Sequence, residues 1–182
     1  KKRRLRRLFL FMEEKFNNKY RIDSVRKENW DYGNNGGYFV TICTKNMVCY
    51  FGEIVETQNF ASLRTTRMGN VAKEYWKEIP RHFPDVILDE FIIMPNHVHG
   101  ILLINKEEKQ VSREEYKNKF GPQSRNLSSI IRGYKVGVKT FATKNNIPFE
   151  WQKGYYDRII RNEDELFRIR KYINENAYKH RS

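Results

Sequence analysis

The chain has 182 residues, 39% of them hydrophobic, which suits one domain with one core plus an arm or an insertion. No run of about 18 apolar residues occurs, so no membrane-spanning helix is expected, and LFLF at 8–11 is too short for the core of a secretion signal. Lys and Arg number 35 against 22 Asp and Glu, and this net charge of +13 points to a polyanionic partner, nucleic acid ahead of an acidic membrane surface.

Residues 1–21, KKRRLRRLFLFMEEKFNNKYR, form a basic N-terminal arm that welcomes phosphate, and NNGG at 34–37 marks a loop. YFVTICTK at 38–45 alternates β-branched and aromatic residues and reads as a first strand; CYFGEIV adds a short second one. Cys43 and Cys49 lack CxxC spacing. On a single strand over 43–50 they would share a face too far apart to bridge, which excludes a cysteine zinc site and suits a reducing cytoplasm. Val71, Tyr75 and Ile79 recur at helical spacing over 70–79, with Asn70 as N-cap and Pro80 and Pro84 ending the helix.

VILDEFIIM (86–94) and HVHGILLI (97–104) are two apolar strands joined by Pro95-Asn96, a turn short enough to make them antiparallel neighbours. On the second strand His97, His99, Ile101 and Leu103 share one face, and Val98, Gly100, Leu102 and Ile104 the other. Two imidazoles two residues apart on a rigid strand are half of a divalent-metal site. The plainer alternative makes one a satisfied core histidine and the other a wet strand end.

Residues 105–124 are polar, carry Gly121-Pro122, and read as a loop insertion. In 125–145, Leu127, Ile130, Ile131, Tyr134, Val138 and Phe141 make the apolar face of the best helix in the chain. Arg132, Lys135 and Lys139 run along one flank of it without intervening acids, a surface suited to tracking phosphates, with Arg125 at its start. PFEWQKGYYDRII (148–160) reads as an extended segment. Its aromatic residues and Arg158 either stack on unpaired bases and bind DNA or belong to the core and edge. The last helix, 163–179, buries Leu166, Ile169, Ile173 and Ala177, with Glu163 and Asp164 at its positive end.

Tyr172 and Asn176 lie one turn apart on a flank of that stripe, at the rim of the core. An amide oxygen with two imidazoles suits Mg²⁺ or Mn²⁺, and a phenol one turn away can attack a phosphate polarised by such an ion. Spacing alone equally allows two ordinary rim residues.

MPNHVHG at 94–100, WQKGYYDRIIR at 151–161 and YINENA at 172–177 resemble, in order, the motifs of single-tyrosine HUH transposases. The similarity runs from about Tyr38 to about Lys179 and is nearest to the REP-associated tyrosine transposases. The resemblance implies an α+β fold: a ferredoxin-like central antiparallel sheet with helices on one face and the histidines on its middle strands. It also implies a single domain over 22–182. It assigns His97 and His99 to a divalent metal, Asn176 to the third ligand and Tyr172 to the nucleophile. Ala177 stands where that branch usually has Pro.

The activity implied is metal-dependent cleavage and rejoining of single-stranded DNA in hairpin-forming repeats. It passes through a 5′-phosphotyrosine, in a cytoplasmic protein expected to be a monomer, with a homodimer as the alternative. Tyr155 and Tyr156 are the reserve nucleophiles. The rival readings are a non-catalytic single-strand nucleic-acid binder and a phosphodiesterase that uses activated water.

Overall fold

A computed structural model describes residues 35–56, 61–106 and 126–179, all within one compact unit. The basic arm 1–21, Arg125 and all but the first two residues of the 105–124 insertion lie outside them.

The elements follow one another as β1 (Gly36–Cys43), β2 (Gly52–Glu56), β3 (Ala61–Thr65), α1 (Arg67–Lys77), α2 (Ile79–His82), β4 (Val86–Met94), β5 (His97–Ile104), α3 (Leu127–Lys144), β6 (Tyr156–Ile160) and α4 (Glu163–Lys179). Strands β4, β5, β1 and β6, in that spatial order, form one antiparallel sheet, and β2 with β3 forms a separate ribbon. Without the ribbon the chain runs βαββαβ, the ferredoxin-like arrangement expected. β5 and β1 are the middle strands. Their register sets Thr41 opposite His99 and Cys43 opposite His97.

Strand alternation divides the core in two. Tyr38, Val40, Ile42, Val98 and Leu102, each 0% exposed, point to the face covered by α1 and α3. Gly100 lies on that face because a Cβ there would stand 2.2 Å from Cζ2 of Trp76. The Trp76 ring fills the space, stacked on Phe91 and edge-on to Tyr134. On the other face Phe39 and Ile101 pack against Ile169 and Ile173 of α4, with Ile92, Leu103, Tyr156, Ile160, Leu166 and Tyr172 around them. The resemblance implied helices on one face only. The structure has them on both, because the narrow apolar stripe of α4 meets the histidine side of the sheet.

Local departures from the sequence reading have local causes. α1 starts four residues earlier than expected: Thr66, not Asn70, is the N-cap, and its Oγ1 accepts from the Gly69 N–H at 3.1 Å. Pro80 does not end the helical region; it sits in the first turn of α2, where no intrahelical N–H is needed. β1 stops at Cys43, and the chain turns through Lys45–Met47, so Cys43 and Cys49 are not on one strand; both thiols are free. No helix among the described residues is long and apolar enough to cross a membrane.

α4 is fastened at two places. Only Arg161 and Asn162 separate it from β6, and Glu165 in its first turn accepts from the Arg161 N–H and pairs with Arg158. Farther along, Arg170 grips Asp89 with its guanidinium fork, Nε to Oδ1 at 2.8 Å and the second arm to Oδ2. Asp89 lies where the β4–β5 register shifts between Leu88 and Phe91, a bulge that turns its carboxylate toward α4.

The Arg170 hydrogen bonds hold the Asp89 carboxyl below its ordinary range. A depressed carboxylate pKa stabilises the fold above the unfolded value, near 3.9, and the gain is lost as pH falls through the folded value. Asp89→Asn is therefore expected to cost about 1 kcal/mol at pH 7, since the Arg170 side chain is 44% exposed, with the deficit shrinking in urea melts as pH falls below the unfolded value. Gly100→Ala is expected to cost about 1–3 kcal/mol by displacing the Trp76 ring, read as a lowered thermal midpoint.

Candidate active site

β5 delivers its two histidines to the α4 face at the strand's first turn-proximal positions. Both are nearly sealed, His97 at 7% and His99 at 6% exposed. Their Nε2 atoms face each other at 3.1 Å. The far side of each ring is held. Asn96 donates its Nδ2–H to the Met47 carbonyl at 3.3 Å, which turns its Oδ1 to His97 Nδ1 at 2.7 Å, as acceptor of that N–H. Thr41 Oγ1 stands 2.8 Å from His99 Nδ1. Phe39 stacks on the His99 ring with centroids 5.3 Å apart and planes 28° from parallel, which sets the tilt of that imidazole.

The turn that carries Asn96 is itself anchored. The Thr44 N–H donates to the Asn96 carbonyl and the Phe51 N–H to the Pro95 carbonyl, both at 2.9 Å. The segment after β1 thus clamps the start of β5.

α4 supplies the rest. The Tyr172 hydroxyl lies 3.3 Å from His99 Nε2, with its ring edge-on to Phe39. One turn on, Asn176 is 5% exposed, and its Nδ2 is buried with no hydrogen-bond partner. A half-turn of the amide would put Oδ1 in that place instead. Sequence reasoning singled out these four residues, and the fold puts them on facing elements, β5 and α4, with Tyr172 against His99.

The donor set fits a divalent ion. If Nδ1 carries the hydrogen on both rings, both Nε2 lone pairs converge. Two donors at right angles around a cation at about 2.1 Å stand about 3.0 Å apart, close to the separation found. Among the described residues no group of three His, Cys, Asp or Glu could hold an ion; the buried amide of Asn176 is a neutral donor on the helix that carries Tyr172. The Cys43 thiol, opposite His97, is pushed up to about 11 by burial.

Thr41, Asn96 and Phe39 are the site residues that sequence reasoning missed. Asn96 was visible as a turn residue beside His97. Nothing in the sequence sets the β1–β5 register that brings Thr41 and Phe39 to His99.

The expected DNA-binding cations do not form one patch. Arg158 lies on the α4 side of edge strand β6, paired with Glu165. Arg132, Lys135 and Lys139 lie on α3, on the opposite side of the sheet, along a cleft of about 440 Å³ facing residues 151–155. Two of these cations have structural work. Lys135 donates to the carbonyls of Gln152 (2.6 Å) and Gly154 (2.9 Å), and Lys139 to that of Phe149. Trp151 is not a free stacking platform: it packs on Phe51, Phe149 and Tyr134, and its Nε1–H donates to the Lys135 carbonyl at 3.0 Å. Of the reserve tyrosines, Tyr155 bonds Ser128 at 3.1 Å in the cleft and Tyr156 packs in the α4 core.

No protein-family model matches the chain. It is 39% identical over 161 residues to an uncharacterized protein of Haemophilus influenzae, spanning 84% of this chain and 86% of that one. Among solved structures, that of a REP-associated tyrosine transposase bound to a REP hairpin has a similar fold. The TM-score is 0.56 at 18% identity, over 87% of this chain and 74% of that one. The chain belongs to one family with the Haemophilus influenzae protein, built on the fold of that transposase.

Proposed function

We propose that the chain is a single-tyrosine transposase-like enzyme of the REP-associated branch. It nicks and rejoins single-stranded DNA at hairpin-forming repeats, and it works as a monomer. The observation that carries the reading is the approach of the Tyr172 hydroxyl to within 3.3 Å of an imidazole that faces a second imidazole at 3.1 Å. The motif order and the shared fold support it.

His97, His99 and Asn176 would hold Mg²⁺ or Mn²⁺, which supplies Lewis-acid polarisation of the phosphate oxygens. The chain's own residues do the rest. Tyr172 Oη attacks phosphorus and forms a phosphotyrosine bond; the P–O3′ bond breaks, and the leaving oxygen takes a proton to become a free 3′-OH. The phenol proton passes to water or another base, because a His99 Nε2 lone pair engaged with a cation cannot receive it. The covalent link keeps the energy of the phosphodiester, so a second 3′-OH can reverse the step without ATP. Phe39 holds both the His99 and the Tyr172 rings, which fixes nucleophile and ligand relative to each other.

Incubating the protein with a labelled hairpin oligonucleotide and Mg²⁺ or Mn²⁺ is expected to give an adduct that survives denaturing electrophoresis. Tyr172→Phe is expected to abolish the adduct while DNA binding persists. An adduct retained by that variant would move the nucleophile elsewhere. Cleavage without an adduct would indicate activated water, and chelator-insensitive binding without cleavage a non-catalytic binder.

Asn96 acts through His97 by holding its Nδ1–H. Calorimetric titration with Mn²⁺ is expected to show roughly 10–100-fold weaker binding to Asn96→Ala. Asn96→Asp, which keeps an acceptor at Nδ1, is expected to recover most of that affinity.

A further inference from the structure

The cleft between α3 and the strap 151–155 is not used by the chemistry above. Along it stand Arg132, Lys135 and Lys139, with Val136, Trp151 and Tyr155 among the uncharged residues, and none of the lining residues is acidic. Its volume, about 440 Å³, falls in the range of pockets that hold small ligands, roughly 300–1,000 Å³.

Lys135 is the unusual member. Its ammonium is drawn down onto two neutral carbonyl oxygens and sits 5.8 Å from the centre of the Trp151 ring. No carboxylate among the described residues pairs with it, and burial lowers its pKa to about 8. A half-buried cation with only neutral partners is left short of negative charge. Lys139 differs, since Glu150 lies near enough to share its charge. Arg132 is exposed and forms no ion pair among the described residues. Beside these charges Val136 is 57% exposed, an apolar surface at the mouth.

The strap also fixes where the cleft lies. Trp151 bridges to Thr44, and the Gln152 N–H donates at 2.9 Å to the carbonyl of Cys43, the residue that faces His97. The cleft therefore opens at the end of the sheet that carries the imidazoles, on the side away from Tyr172.

We infer that this cleft is a subsite for one unpaired nucleotide of the DNA strand, with its phosphate on Lys135 and Arg132 and its sugar and base over Val136 and the edge of Trp151. The inference rests on the reading that the substrate is single-stranded DNA. A base-paired stem fits poorly: its phosphates lie on a convex surface and do not descend to an ammonium held at the strap. An unpaired nucleotide has the freedom to do so.

The test uses the full chain in EDTA, so that no covalent chemistry contributes, and fluorescence anisotropy with labelled dT12 and with a 12-base-pair duplex. The wild type is expected to bind dT12 more tightly than the duplex. Val136→Glu, which adds a carboxylate at the mouth without touching the core, is expected to weaken dT12 binding on the order of tenfold. Arg132→Ala is expected to lower the salt dependence by about one phosphate contact. Lys73→Gln on the exposed face of α1, which lowers the net charge by the same one unit, is the charge control. Equal weakening by Lys73→Gln and Val136→Glu, or equal affinity for duplex and dT12, would overturn the subsite. The adduct assay is independent of this one: an adduct with an indifferent Val136→Glu sinks the subsite alone, and a cleft-dependent dT12 affinity without any adduct sinks the enzymatic reading alone.

Discussion

Two imidazole nitrogens turned toward each other at 3.1 Å are the constraint around which the described part of the chain is built. Such lone pairs repel unless a proton or a cation lies between them, so the arrangement needs rings that cannot swing away. β5 provides one restraint, since residues two apart on a strand must share a face. Asn96 and Thr41 provide another by occupying Nδ1 on each ring, and Phe39 a third by stacking. The restraints come from β5, from β1 through Thr41 and Phe39, and from the β4–β5 turn through Asn96, which the clamp after β1 holds in place.

The sheet separates two kinds of work. On one face lie two buried imidazoles, a buried amide and the half-buried phenol of Tyr172. On the other, α3 carries cations over a cleft that borders the same end of the strands. Lysines directly beside the imidazoles would set like charge against any cation held there.

What could be read from the sequence follows from periodicity. Strict alternation made β4, β5 and the pairing of His97 with His99 legible, and the apolar stripes of α3 and α4 did the same for those helices. Tyr172 and Asn176 were legible as a pair because i and i+4 share a face. Relations between elements were not. The β1–β5 register that brings Thr41 to His99 has no local signature, and the bulge that aims Asp89 at Arg170 arises from strand pairing. Lys135 and Lys139 looked like free cations because a strap of backbone carbonyls is invisible in a string of residues. For the same reason the sequence left Trp151 open between a stacking platform and the core, and its neighbours Phe51 and Phe149 make it core.

The two-residue joint between β6 and α4 has a mechanical consequence. Arg161 and Asn162 can span only about 7 Å fully extended, so the phenol-bearing helix has almost no slack relative to the edge strand before it. A sliding displacement of α4 must therefore drag β6 along, at the cost of its ladder with β1. The short tether leaves the helix free to pivot about Arg161 and Asn162 but not to travel.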